Sequence, residues 1–215
     1  SFDMRSKTLT LSLVGALFLA LPWWLHLPRR SEASVTSGFD PRNLQPGDVI
    51  LRRGRDAVSA MVLTVDQGSR FSHVGLVVRL GDLRAVVHAL PGDEAHPDGQ
   101  VLVQSVGEFL APERASEVAV YRLTEPSGVP AAAAAVALRY VREGRHFDAD
   151  FRLETARELY CSELVWRAFR ESGLDLLDAR LAHLALPLRQ GEFVLPSSFT
   201  KSPHLKLLTQ EDIGS

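Results

Sequence analysis

Cys161 is the only cysteine of the chain, and its sequence neighbourhood is one in which a thiol can act as a nucleophile. Apolar residues recur at helical spacing between residues 164 and 169, and Gly173 is a typical stop, so Cys161 is predicted at or just before a helix N-terminus. Unpaired N–H groups and the helix dipole favour the thiolate there, which is the nucleophilic form. A lone cysteine forms no internal disulfide. The alternative is a small buried residue that starts a core helix.

Two histidines fall on neighbouring strands of a predicted hairpin. His73 begins a short β-branched segment and His88 lies in a second one, with Gly81-Asp82 as a two-residue loop between them. With that loop, Gly75 faces His88, and the two histidines share one face as diagonal neighbours, with Cβ atoms roughly 7–8 Å apart. A register shifted by one residue would separate them. A cysteine, a histidine and a polar group that orients the histidine are the components of a thiol hydrolase.

The remaining segments indicate an α+β fold. The hydrophobic pattern predicts a helix over 56–65, an alanine-rich helix from Pro130 to Arg142, and a loop-rich region after the cysteine helix. Further strands are predicted at Val49–Arg52, Val101–Ser105 and Val118–Arg122. We therefore expect a small antiparallel sheet that carries the histidines and packs against the cysteine helix.

The composition is that of an ordinary globular protein, with 46% hydrophobic and 23% charged residues. After the N-terminal segment, roughly 180 residues remain, which is enough for one domain with a core. The formal net charge of -2 and the lack of a basic stripe give no reason to expect nucleic acid as a partner. The sequence contains no glycine-rich phosphate-binding loop, and no cofactor is expected.

The N-terminal segment predicts a membrane anchor. Thr8–Pro28 is uncharged when His26 is neutral, and its 21 residues would span about 31 Å as a helix, close to the hydrocarbon thickness of a bilayer. Trp23-Trp24 suit the membrane interface, and Arg29-Arg30 close the segment. The alternative is a cleaved signal peptide with a small-x-small site at 31–33.

These boundaries divide the chain into an anchor at 1–30, a linker at 31–43 and a hydrolase-type domain at 44–215. The short N-terminal tail favours a domain on the extracytoplasmic side of the membrane, or a secreted one if the segment is cleaved.

Several short motifs, scattered across most of the region after the linker, resemble those of one family of hydrolases. The chain is similar to the permuted papain-like hydrolases of the YiiX/YebB-like group, which resemble circularly permuted NlpC-type peptidases and are related to lecithin:retinol acyltransferase. The matching segments are Leu44–Ile50, Ser72–Gly75, Phe147–Phe151, Tyr160–Val165 and, more weakly, Val194–Phe199.

The resemblance implies a permuted papain-like domain and a role for each residue. It makes Cys161 the nucleophile and His73 its general base, and it places the third catalytic group on the next strand, at His88. Many relatives have glutamate at that position, whereas a histidine is more similar to the acyltransferase branch.

Three interpretations follow. In the first, a membrane-anchored thiol hydrolase cleaves an amide bond in an envelope peptide or an N-acylated molecule through an acyl-thioenzyme. In the second, the same site takes acyl groups from lipids, by hydrolysis or transfer. In the third, the protein is no enzyme, and Cys161, His73 and His88, with His96, hold a zinc ion.

Overall fold

The structure is a computed structural model that describes residues 39–92, 97–124, 128–155, 157–186 and 189–213. The predicted anchor at 8–28 and most of the predicted linker lie outside these residues. Within the described ranges, no helix has the length and apolar character needed to cross a membrane.

The described residues form an α+β fold that contains every helix and strand predicted from Val49 onward. The helices are α1 (Ala57–Val65), α2 (Val106–Phe109), α3 (Val129–Arg142), α4 (Cys161–Glu171) and α5 (Pro196–Thr200). The strands are β1 (Val49–Gly54), β2 (His73–Leu80), β3 (Leu83–Leu90), β4 (Gln100–Ser105), β5 (Ala115–Leu123), β6 (His146–Phe147), β7 (Glu158–Leu159), β8 (Ala182–Leu186), β9 (Arg189–Phe193) and β10 (Leu205–Asp212).

The central sheet has six strands in the order β10-β5-β1-β2-β3-β4, and every neighbouring pair is antiparallel. It is larger than the small sheet that the sequence predicts, because the region after the cysteine helix contains more than loops. That region forms the hairpin β8–β9, the short helix α5 and the edge strand β10. The expectation of a loop-rich tail is therefore wrong, since Gly191 lies within β9 and Pro196 begins α5.

The two faces of the sheet are covered by different elements. Side chains such as Leu51 and Leu76 point to the face on which α3 and α4 pack. Ile50 and Val86 point to the opposite face, where they pack with Phe109 of α2. The sheet thus packs against the cysteine helix, as predicted, and it has a second buried face beyond that contact.

The β2–β3 hairpin has the register that its loop predicts, with Leu80 paired to Leu83 and Leu76 to Val87. Gly81 has φ +59°, a left-handed conformation that favours glycine in a two-residue turn. At Gly75, a Cβ atom would lie 2.3 Å from a methyl group of Val86, so only glycine fits this close approach between the strands.

Helix α4 begins at Cys161 and ends as the sequence predicts. The carboxylate of Glu163 accepts a hydrogen bond from the backbone N–H of Tyr160 at 3.4 Å, which satisfies one donor before the first turn. Gly173, with φ +93°, follows the last turn. The parallel pair β6–β7 precedes the helix and fixes the entry of the chain into it.

The first and last described segments meet at the edge of the sheet. The backbone N–H of Phe39 donates to Glu211 Oε2 at 3.1 Å, and the N–H of Ile213 donates to the carbonyl of Ser116 at 2.8 Å. Residues 39 and 213 therefore lie on the same side of the domain.

Candidate active site

Three side chains from consecutive strands form a chain of hydrogen bonds. His73 Nε2 lies 2.9 Å from His88 Nδ1, and His88 Nε2 lies 3.0 Å from Oε1 of Gln104. His73 opens β2, His88 lies on β3, and Gln104 lies on β4 opposite Val86. The predicted proximity of the two histidines is confirmed, and Gln104 is a member that the sequence did not reveal.

The amide of Gln104 sets the tautomers of both imidazoles. Its oxygen accepts, so His88 Nε2 carries a hydrogen and His88 Nδ1 has a lone pair. That lone pair accepts the N–H of His73 Nε2. His73 Nδ1 is consequently left with a lone pair, the form in which an imidazole can accept a proton from a thiol.

The thiol of Cys161 lies against the start of β2, at Val74, the residue that follows His73. Its partners are the hydroxyl of Ser162, with Sγ and Oγ 3.8 Å apart, and the backbone of Val74. Among the hydrogen bonds of the described residues, none joins Sγ to an imidazole. The histidine rings pack on Phe109 at the second face of the sheet, whereas Cys161 belongs to the core of the first face.

Burial raises the pKa of the Cys161 thiol above its usual range and outweighs its hydrogen bonds to Ser162 and Val74. The side chain is in fact only 9% exposed. The sequence correctly predicts the position at the helix N-terminus, but the expectation of a thiol activated by that position is wrong for the resting site. The reason is that the loss of hydration around a buried sulfur exceeds the stabilisation that the helix end provides.

Both histidines are neutral in the resting protein. Burial lowers the pKa of His73 well below its usual value, and the positive charge of Arg52 lowers it further. Burial, followed by the charge of Arg52, lowers the pKa of His88 to about 3, although its hydrogen bond to Gln104 opposes the shift. The thiol and the base are therefore both neutral before substrate binds.

Arg52 is a second residue that the sequence did not single out. It is the cross-strand partner of His73, and its side chain is buried, with 3% exposure. Its Nη1 donates to the backbone oxygen of Phe109 at 2.6 Å, and its guanidinium carbon lies 4.6 Å from the centre of the Phe109 ring. The Phe109 ring in turn lies 5.8 Å from the ring of His73 and 5.0 Å from that of His88.

An apolar cleft opens beside Cys161. Its empty space is about 510 Å³, part of it open to solvent. Apart from Cys161 and its neighbours Tyr160 and Ser162, the lining consists of apolar residues: Met61, Val62, Val65, Phe151, Leu184, Phe193, Val194, Leu195 and Pro196. The cleft thus offers an apolar surface that leads to the thiol.

Two buried polar side chains hold the walls of the cleft in place. The hydroxyl oxygen of Tyr160 accepts the N–H of Val194 at 2.9 Å, and Asp66 Oδ2 accepts the N–H of Ser197 at 2.9 Å. Asp66 follows α1, so it connects the helix on one wall to the 193–197 segment on the other.

The motif at Phe147–Phe151 shapes the third side of the cleft. The buried carboxylate of Asp148 accepts the backbone N–H of Asp150 at 2.9 Å and that of Arg152. These bonds fix a turn in which Phe151 has φ 54° and lines the cleft. The turn therefore places an aromatic ring in the cleft.

The sequence profile of the permuted papain-like amidase family, YaeF/YiiX, C92, matches residues 43–209. The chain belongs to this family of permuted papain-like amidases, and in it the histidine strand β2 precedes the cysteine helix α4. This confirms the resemblance that the sequence motifs indicate.

A solved structure shares the fold: the crystal structure described as that of metalloprotein yiiX from Escherichia coli O157:H7, DUF1105. Its TM-score is 0.63 with 20% sequence identity, and the match covers 78% of this chain and 97% of that chain. At this identity the likeness shows the fold alone. No curated protein sequence matches the chain.

Proposed function

We propose that the protein is a cysteine amidase in which Cys161 is the nucleophile, His73 the general base and His88 the residue that orients His73. The hydrogen-bond chain from Gln104 through His88 to His73 is the observation that carries the proposal. In the tautomer that this chain fixes, His73 Nδ1 can accept a proton. The next residue, Val74, contacts the Cys161 thiol through its backbone. A buried imidazole of fixed tautomer beside a helix-start cysteine is the arrangement that thiol hydrolysis needs.

The reaction proceeds through an acyl-thioenzyme. The thiol proton of Cys161 passes to His73 Nδ1 while Sγ bonds to the carbonyl carbon, and the carbonyl oxygen becomes an oxyanion that the backbone N–H of Cys161 faces. His73 then gives the proton to the leaving nitrogen, and the C–N bond breaks. Water, deprotonated by His73, attacks the thioester carbon, the S–C bond breaks to release the acid, and His73 returns the proton to Sγ, which restores the thiol.

The cleft supports an N-acylated amine as the substrate. An aliphatic acyl chain gains about 0.8 kcal/mol for each CH₂ group that it buries, and the cleft offers it apolar walls that end at the thiol. Met61 of helix α1, which lines this cleft, is 49% exposed. An envelope peptide with apolar side chains beside the scissile bond is the other amide substrate that such a surface suits.

Lipid acyl esters are the second candidate class of substrate, through hydrolysis or acyl transfer at the same thiol. The apolar lining of the cleft favours them as much as it favours N-acyl amides. The two classes differ in the leaving group, which is an amine for the first and an alcohol for the second.

A zinc-binding role for the same residues fits the arrangement of donors poorly, although the E. coli relative is described as a metalloprotein. Both ring nitrogens of His88 and one of His73 are engaged in hydrogen bonds. Of these three residues, Cys161 Sγ and His73 Nδ1 are the two atoms that remain available to bind zinc, whereas zinc sites use three or four protein ligands. Among the described residues, no cluster of three or more histidine, cysteine or acidic side chains could hold a metal ion.

We further propose that the protein acts at the cell envelope, anchored through residues 8–28 with the domain on the extracytoplasmic side. The uncharged 21-residue segment and the apolar cleft support this location, because a tethered enzyme meets membrane-borne substrates at high local concentration.

The decisive experiment is intact-protein mass spectrometry after acid quenching of the full chain with an N-dodecanoyl amino acid, an apolar peptide or a lysophospholipid. An S-dodecanoyl thioester on Cys161 is expected from the N-dodecanoyl amino acid, and it should be absent in Cys161→Ala and strongly reduced in His73→Ala. Ser172→Ala, at the other end of α4, serves as the control and should form the adduct normally. Undiminished turnover in Cys161→Ala would contradict the proposal, and an adduct from the lysophospholipid alone would favour the ester substrate.

A further inference from the structure

Arg52 is a buried cation without a carboxylate partner among the residues that the structure describes. Its hydrogen bond runs to a backbone oxygen, its guanidinium packs on an aromatic ring, and its Nε has no hydrogen-bond partner. Burying a charge in this way is costly, and side chains that bear such a cost are concentrated at functional sites.

The charged and titratable groups around Arg52 are few. Of the charges that act on it, the exposed carboxylate of Asp56 favours the charged form of Arg52 most, the exposed Arg114 opposes it, and Cys161 of α4 favours it less. Arg52 in turn acts on the two histidines, which lie on β2 and β3. Burial lowers the pKa of Arg52 only to about 10, so its guanidinium is charged at neutral pH. A fixed positive charge therefore stands beside the histidine pair through the whole reaction.

We propose that Arg52 is a positioning residue for proton transfer: its fixed charge beside His73 works against an imidazolium there and drives the thiol proton onward to the leaving nitrogen. This inference rests on the proposed function, in which His73 takes that proton.

The consequence for catalysis depends on the leaving group. An amine leaves an amide only when its nitrogen has received a proton, so an imidazolium that releases its proton readily speeds this step. A p-nitrophenolate leaves an ester without protonation, so the same charge gives no advantage there. Arg52 thus tunes the site toward substrates whose leaving group must be protonated, and the positive charge also faces the anion that develops at the thiol and the carbonyl oxygen.

The test compares Arg52→Met, Arg52→Lys and the wild type in the full chain, with Arg53→Met as the matched control. Arg53 is the next residue, and its partially exposed side chain bridges to Glu117 away from the histidines. Methionine fills a similar volume without charge, and such replacements of buried ions are often tolerated. Lysine restores the charge at the same position.

Two readouts are measured. In Arg52→Met, the rate ratio of an N-dodecanoyl alkylamide to p-nitrophenyl dodecanoate should fall by roughly tenfold, and Arg52→Lys should recover part of it. The imidazole NMR signal of His73 should titrate at a pH about one unit or more higher in Arg52→Met than in the wild type. Arg53→Met should change neither.

An unchanged rate ratio and an unchanged His73 titration in folded Arg52→Met would overturn the inference, and so would an equal loss on both substrates with no shift in titration. The NMR readout needs no turnover, so it separates this result from a failure of the proposed function, which would appear as full activity in Cys161→Ala.

Discussion

At the scale of single residues, the orientation of one amide determines which nitrogen of His73 is the base. The bond from His88 Nε2 to Gln104 Oε1 fixes the tautomer of His88, and through it that of His73. Without an acceptor at residue 104, His88 loses the partner that selects its tautomer, and its N–H is left buried and unpaired.

Gln104→Leu should therefore lower kcat/KM by one to two orders of magnitude, since serine proteases lose about 10⁴-fold when their histidine adopts the wrong tautomer. Gln104→Glu keeps an acceptor at the same place and should retain more activity at neutral pH. Gln210→Leu, on the exposed edge strand β10, is the matched control and should have no effect. Full activity in Gln104→Leu would show that His88 alone orients the base.

At the scale of elements, helix α4 carries a buried carboxylate two residues after the thiol. Glu163 lies 2.8 Å from Arg167 Nε through its Oε1, but burial outweighs this ion pair and raises the pKa of Glu163 to about 8, with the charge of Asp148 adding to the shift. The folded state then binds one proton more than the unfolded state between the unfolded pKa of about 4.3 and pH 8. The free energy of unfolding falls as pH rises through this window.

Glu163→Gln should remove this dependence, because an amide does not titrate. The variant is expected to lose less stability than the wild type between pH 5 and pH 8.5, as measured by urea unfolding at both values. Glu158→Gln, at an exposed position before the same helix, is the control and should follow the wild type. If Glu163→Gln instead loses more stability than the wild type between pH 5 and pH 8.5, the ion pair with Arg167 dominates over burial.

At the scale of the whole molecule, the two neutral histidines set the acid limit of stability. Their folded pKa values lie below the unfolded value of about 6.5, so the unfolded state binds more protons as pH falls below it. The free energy of unfolding is then lost with falling pH, by up to about 1.4 kcal/mol per pH unit for each histidine.

The free energy of unfolding rises with pH through the two histidines and falls with pH through Glu163. Together these opposite dependences place the maximum of stability near pH 6.5. His88→Asn should remove most of the loss of stability between pH 6.5 and pH 4.5, because the proton that His73 still takes up on unfolding is offset by the one that Glu163 releases. His183→Gln, an exposed histidine of β8, should leave the curve unchanged. A curve that is flat between pH 6.5 and pH 4.5 in the wild type would contradict the burial of neutral histidines.

The parts of the site that the sequence predicted are those set by local chemistry. A Gly81-Asp82 loop fixes the hairpin register residue by residue, so the sequence could place His73 near His88. The helix start at Cys161 follows from hydrophobic spacing and from Gly173. Both signals act within about fifteen residues of the chain, where turn type and helix periodicity decide the geometry.

Gln104 and Arg52 escaped prediction for a different reason. The connection between β3 and β4 is long enough that no turn type fixes their register, so nothing in the sequence puts Gln104 opposite Val86. Arg52 stands in an Arg52-Arg53 pair at the end of a strand, and arginine is rarely buried. Its burial follows from Phe109 of α2, which packs against the sheet from a distant part of the chain.

The meeting of Phe39 with Glu211 at the sheet edge has one further consequence, for the evolution and the engineering of this architecture. A short link from residue 213 back to residue 39 would close the domain into a ring, and the ring can be opened at any surface loop that the site does not use. Opened just before α3, the gene would encode Cys161 first and His73 later, and no helix or strand of the site would be cut. The order in which the nucleophile and its base are synthesised thus depends on where the ring is cut, and it does not change the arrangement of the site.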